Sequence, residues 1–187
     1  SVIKVPYCLR VTEEKRIYEK LLAGSELKDA AIAPGTLEML ARFSVLTRLK
    51  THENSSLISK MRVYDGESLK DTDPHAKTIQ EYRDAAGVTE GMDGGSTRFA
   101  YKILSETFNF DTHEVAADPV HLLYVIEQAV RREQLPEETE QRWVEFLKEE
   151  LSPRYAEFIG NEIQKAYLES YHDFGQNLFD RYVAYAD

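Results

Sequence analysis

Gly91-Met92-Asp93-Gly94-Gly95-Ser96-Thr97-Arg98-Phe99 is the stretch whose reading decides this chain. Three glycines in five residues make a loop that cannot hold regular structure. Ser96 then predicts a helix N-cap, its hydroxyl placed to accept an orphan backbone N–H. Phe99, Ala100, Ile103, Leu104, Thr107 and Phe108 carry a helical apolar face onward. Arg98 falls in the first turn of that helix, where the macrodipole disfavours a cation by about 0.3–1 kcal/mol. A helix N-terminus attracts anions, and a planar guanidinium beside free N–H groups matches the oxygens of a phosphate. The competing reading pairs Arg98 with a nearby carboxylate such as Asp93, surface ion pairs being common.

Working back from the loop, Asp73-Pro74 reads as a cap with a proline at the first helical position. That predicts a helix to Ala86, stopped by Gly87. Ser55 or Ser56 caps a shorter one through Met61, Val63 and Tyr64 to Gly66. Leu37, Leu40, Ala41, Ser44, Val45 and Leu49 repeat at helical spacing after Pro34-Gly35-Thr36. Thr12, with Glu13 and Glu14 behind it, predicts the start of a helix whose buried stripe is Ile17, Tyr18, Leu21 and Leu22, ended by Gly24. Val2-Ile3-Lys4-Val5 reads as one short strand stopped by Pro6. A lone strand needs partners from elsewhere.

Working forward, Asn109-Phe110-Asp111-Thr112-His113 is a break. Asp118-Pro119 opens a helix that is apolar almost all round, as expected of a core element. Pro136 opens the next, with Trp143, Phe146, Leu147 and Leu151 inward. Pro153 opens a longer one carrying Tyr155, Phe158, Ile159, Ile163, Tyr167 and Tyr171. A final segment holds Leu178, Phe179, Tyr182 and Val183. The expected fold is all-α, with at most one short N-terminal strand.

The composition narrows the function. Of the 187 residues 42% are hydrophobic and 30% charged, ordinary for a soluble globular chain. Formal net charge is −10 with no basic patch, which argues against a nucleic-acid binder. Glu133 to Glu150 is acidic and reads as a solvated helix face. No apolar run approaches the ~20 residues that span a bilayer, so no membrane role is expected. The one cysteine, Cys8, cannot form an internal disulfide, which suits a reducing cytoplasm. The histidines His52, His75, His113, His121 and His172 show no ligand spacing, so no metal site is expected. Asp173-Phe174-Gly175 spells the magnesium-binding tripeptide of eukaryotic-type kinases, but no His-Arg-Asp catalytic loop precedes it. It reads as a helix junction without metal. No Gly-x-x-x-x-Gly-Lys-[Ser/Thr] phosphate loop occurs, so the chain alone is expected to turn over no ATP.

Gly-x-Ser-x-Arg opening a helix resembles the sensor 2 element in the lid of AAA+ ATPases. Before it stand Glu53-Asn54-Ser55-Ser56, Lys60-Met61-Arg62-Val63-Tyr64-Asp65-Gly66-Glu67, Lys70-Asp71-Thr72-Asp73-Pro74 and Gln80-Glu81-Tyr82-Arg83-Asp84-Ala85-Ala86-Gly87. Ala166-Tyr167-Leu168-Glu169-Ser170-Tyr171 and Gly175-Gln176-Asn177 follow it. Together these segments resemble the bacterial PrkA family of serine protein kinases, across nearly the whole chain. The resemblance implies an internal fragment of a parent that binds ATP and magnesium, phosphorylates protein serines and can oligomerise through its AAA+ module. It implies two parts. Residues 1–110 would be the end of the AAA+ module: its last core strand, a hinge at Tyr7 to Arg10, the helical lid, and a family-specific insertion from Thr51 to Met92. Residues 111–187 would be the start of a helical C-terminal domain. Arg98 is carried over as the nucleotide-sensing residue and Ser96 as the residue that fixes its helix; no catalytic residue is carried over. The chain departs from the family in Gly95, where a bulkier apolar residue is usual. Two readings of other kinds stay open: a helical interaction or regulatory module, and a parent that spends ATP on remodelling.

Overall fold

The computed structural model describes residues 3–109 and 116–186, and the fold is all-α. By contacts the chain divides into two units, residues 1–151 and 152–187.

In the first unit, α1 (Val11–Ala23), α2 (Thr36–Arg48), α3 (Leu57–Tyr64), α4 (Ile79–Ala86), α5 (Thr97–Phe108), α6 (Pro119–Arg132) and α7 (Glu137–Glu145) follow in order. Helix α2 is the axis. It packs on α1, α3, α5 and α6, and on the π-helical turn Phe146–Leu151 that continues α7. Leu40, Ala41, Val45 and Leu46 of α2 are fully buried. Phe43 meets Trp143 edge-on with ring centroids 5.9 Å apart, and Phe99 of α5 lies 6.1 Å from the same indole. Two residues on each side form a short parallel pair, β1 (Ala31–Ile32) with β2 (Ala116–Ala117).

Several helix boundaries fall where the sequence puts them. Ser56, Ser96 and Asp118 cap α3, α5 and α6 through their side chains. Gly87 ends α4 with a positive φ of 69°.

Other expectations are corrected. The start at Asp73-Pro74 is not a helix start. The Asp73 carboxylate accepts from the Ser59 hydroxyl and the His75 N–H, closing a turn. Helix α4 begins at Ile79 instead, because Thr78 and Glu81 form a reciprocal capping box. Thr12 does not cap α1. The helix starts at Val11, and Asp65, 53 residues away at the end of α3, accepts from the Thr12 N–H at 2.9 Å and hydroxyl at 2.7 Å. Helix α6 is two-sided, not apolar all round: Leu122 and Ile126 are fully buried, while Val120 and Tyr124 are more than half exposed. Ile3, Lys4 and Val5 form no strand and stand exposed; Val2 and the break at 110–113, with His113, lie outside the described residues.

The second unit is one helix, α8 (Ser152–Ala186). The Asp173-Phe174-Gly175 tripeptide lies within it, so it marks no junction. A single glycine costs a helix roughly 1 kcal/mol, too little to end one this long.

Loss of the distant cap on α1 is expected to cost about 1 kcal/mol in Asp65→Ala. That corresponds to a fall of about 2–4 °C in melting temperature for a domain of this size. Unchanged thermal unfolding would show that the carboxylate does not hold the helix.

Candidate functional site

Ser96 accepts from the Phe99 N–H at 3.1 Å, and its backbone carbonyl accepts from Ala100 at 3.0 Å. The N–H groups of Thr97 and Arg98 form no hydrogen bond to any described residue. The Arg98 side chain is exposed and pairs with no described carboxylate, Asp93 included. The first turn of α5 thus carries an exposed guanidinium with no described ion-pair partner and two backbone N–H groups with no described acceptor. That donor set fits a phosphate. Among the described residues no cluster of three acids, histidines or cysteines could hold a metal ion, so none is assigned to magnesium.

The loop beneath Arg98 is rigidly held. Gly94 has φ +110°, and a Cβ there would meet the Thr47 carbonyl oxygen at 2.7 Å and the Arg48 Cα at 2.9 Å. The Gly95 N–H donates to the Thr47 Oγ1 at 2.9 Å, and a Cβ on Gly95 would stand 3.2 Å from that oxygen. The glycines thus let the loop lie against the C-terminal end of α2.

Two buried ion pairs, invisible in the sequence, fix the two ends of this loop. At its far end Arg48, with no exposed side chain, donates Nε to the Gly95 carbonyl at 2.8 Å, Nη1 to the Cys8 carbonyl at 2.9 Å and Nη2 to Glu14 at 2.7 Å. Glu14 also accepts from the Tyr18 phenol at 2.8 Å, and its other oxygen has no partner among the described residues. At the near end Glu90 is buried and pairs with the buried Lys60. It also accepts from the Lys50 N–H at 3.0 Å and from the Tyr64 phenol at 2.6 Å. Lys60 donates to the Lys50 carbonyl at 2.9 Å and lies over the rings of Tyr64 and Tyr82, 5.7 Å from each centroid. The signal the sequence carried was slight: Glu14, Arg48 and Lys60 fall within helices, while Glu90 sits in the loop after a short 3-10 turn.

Burial, then the adjoining Glu14 carboxylate, pushes the Tyr18 phenol well above the ordinary tyrosine range. Burial and the hydrogen bond to Glu90 push Tyr64 up likewise.

The comparisons with known proteins agree on one family. A family model described as the PrkA AAA domain matches residues 1–56, and one described as the PrkA serine protein kinase C-terminal domain matches residues 58–187. Arg98 lies within the second match. The chain is 70% identical over 186 residues to "Serine/threonine kinase YeaG" of Escherichia coli strain K12, covering 100% of this chain and 29% of that protein. It is 45% identical over 113 residues to "ATP-dependent protease PrkA" of Bacillus subtilis strain 168, covering 57% of this chain and 17% of that one. The chain therefore spans less than a third of the length of these curated relatives. No solved structure matches it.

Two outcomes test this geometry. Gly94→Ala is expected to destabilise by about 1–3 kcal/mol, since the clash is with backbone and φ is positive; a chemical denaturation curve like the wild type's would refute the close approach. Both phenols keep their protons in the folded state beyond the ordinary value of 10.0. The unfolded chain releases them first, so stability is full below about pH 10 and falls as pH rises above it. Tyr64→Phe should shrink that fall between about pH 9 and about pH 11, and an equal fall in the variant would contradict the assignment.

Proposed function

The chain belongs to the PrkA serine protein kinase family, and from that premise we propose that it is the part of an ATP-dependent protein kinase in which the nucleotide's terminal phosphate is sensed by Arg98. The observation that carries this reading is that one helical turn holds both the exposed Arg98 side chain, without a described partner, and the N–H groups of Thr97 and Arg98, without a described acceptor. Ser96 fixes this first turn by accepting from the Phe99 N–H. The fork of Arg98 would bind two phosphate oxygens together, which a point charge cannot reproduce. Bound ATP would bring a charge that ADP lacks; magnesium and the phosphate cradle would come from the rest of the protein.

Protein serines as substrate, ATP and magnesium as cofactors, assembly through the AAA+ module and a cytoplasmic setting belong to the same proposal. The printed name of the Escherichia coli relative supports the kinase reading. Among the described residues no helix is long and apolar enough to cross a membrane. The lid itself would comprise the helices around the glycine loop. Its support is that α2, inside the match to the AAA domain, and α5, inside the match to the C-terminal domain, pack in one body. A second reading, ATP-driven action on proteins other than phosphorylation, is favoured by the printed name of the Bacillus subtilis relative. Both readings use Arg98 in the same way.

In the full-length protein Arg98→Ala should lower ATP turnover by more than it lowers ADP affinity, by about 10²-fold if the guanidinium meets charge at the terminal phosphate. Arg98→Lys should recover only part of the loss. Turnover, ADP titration and melting temperature measured side by side decide the matter. Normal turnover in Arg98→Ala would leave α5 as a packing helix.

A further inference from the structure

The segment from Tyr7 to Arg10, which the family resemblance makes a hinge, is bonded to the glycine loop from several directions. The Tyr7 N–H donates to the Gly91 carbonyl at 2.8 Å. The Arg48 guanidinium lies 5.0 Å from the centroid of the Tyr7 ring while its Nη1 holds the Cys8 carbonyl. Gly91 has φ +78°, and a Cβ on it would stand 3.2 Å from both the Leu9 side chain and the Tyr7 carbonyl. The Arg10 carbonyl in turn accepts from the Glu14 N–H at 3.0 Å, which ties the end of the segment to the first turn of α1. On the other side of Pro6, Ile3 and Val5 are 84% and 77% exposed, so nothing comparable holds them.

We propose that Arg48 is a positioning residue that locks Tyr7–Arg10 to the loop carrying Arg98, so that the chain bends on the N-terminal side of Tyr7 and not within Tyr7–Arg10. One guanidinium spans both attachments. Its Nε fixes Gly95, three residues before Arg98, and its Nη1 fixes Cys8. A shift of the Arg98 helix therefore displaces the N-terminal segment directly, with no slack at the expected hinge. The mechanical lock stands on this geometry alone; its use in conveying nucleotide state rests on the phosphate reading of Arg98.

Residue-resolved amide exchange on this chain tests the lock. Arg48→Lys keeps the charge beside Glu14 but cannot reach Gly95, Cys8 and Glu14 together. It should speed exchange of the Tyr7 amide by about tenfold, the equivalent of one hydrogen bond, while the Ile126 amide in α6 is unchanged. If Arg48→Lys does not fold, Thr47→Val removes the acceptor of the Gly95 N–H with no charge disturbed, and the same selective rise at Tyr7 is expected. Equal acceleration at Tyr7 and Ile126 would reduce Arg48 to a general stabiliser and overturn the proposal, as would a Tyr7 amide indifferent to both variants. Arg98→Ala should leave Tyr7 exchange as it is, since the Arg98 side chain bonds to no described residue. Failure of the phosphate reading thus appears only in the turnover of Arg98→Ala, and failure of the lock only in the exchange of the Arg48 and Thr47 variants.

Discussion

The first unit depends on one constraint: the Arg48 guanidinium has no exposed surface, so each of its three nitrogens needs an acceptor inside the protein. The acceptors it finds come from three places far apart in sequence, Cys8, Glu14 and Gly95. Satisfying one residue of α2 therefore brings together the N-terminal segment, α1 and the glycine loop. Such a pair adds little net stability over apolar residues of the same volume. Breaking one side of it leaves a buried charge and costs about 3–5 kcal/mol. Its contribution is to make alternative placements of the loop costly.

The C-terminal end of α2 is where these demands converge. Lys60 donates to the Lys50 carbonyl, and Arg142 of α7 donates to the Leu49 carbonyl at 2.8 Å. Both cations approach the negative end of the helix dipole through carbonyls just past the last helical residue, Arg48. Arg142 does so while half-buried against the Phe146 ring, its guanidinium made less basic by burial. The glycine loop crosses this same end, held at Glu90 and Gly95, and emerges with Arg98 in solvent. The backbone leading into the exposed Arg98 side chain is held by these bonds.

The match to the AAA domain stops at residue 56 and the match to the C-terminal domain starts at residue 58. No break in packing occurs there. Helix α1 packs on α2, α2 packs on α3, α5, α6 and the turn after α7, and all belong to one contact unit that ends at residue 151. The family boundary is a boundary of sequence similarity, and the hydrophobic core runs through it. Glu14 and Arg48 fall in the first match, while Gly95 falls in the second.

The sequence by itself determined the all-α class, the family, and the helix ends that rest on local chemistry. Ser56, Ser96 and Asp118 cap their helices, and Gly87 ends one, because each effect needs only a few neighbouring residues. It also placed Arg98 in the first turn of α5. Tertiary structure decided the rest. It gave the capping of α1 to Asp65, left Asp73-Pro74 in a turn, exposed one side of α6, and ran Asp173-Phe174-Gly175 through the middle of a helix. It also decided that Arg98 faces solvent while Arg48 and Lys60, equally charged, are buried. A charge is tolerated in the interior only where acceptors converge on it. The groups that converge here are separated by 34 residues for Glu14 and Arg48 and by 30 for Lys60 and Glu90. No local pattern encodes separations of that kind; they exist only once the helices have packed.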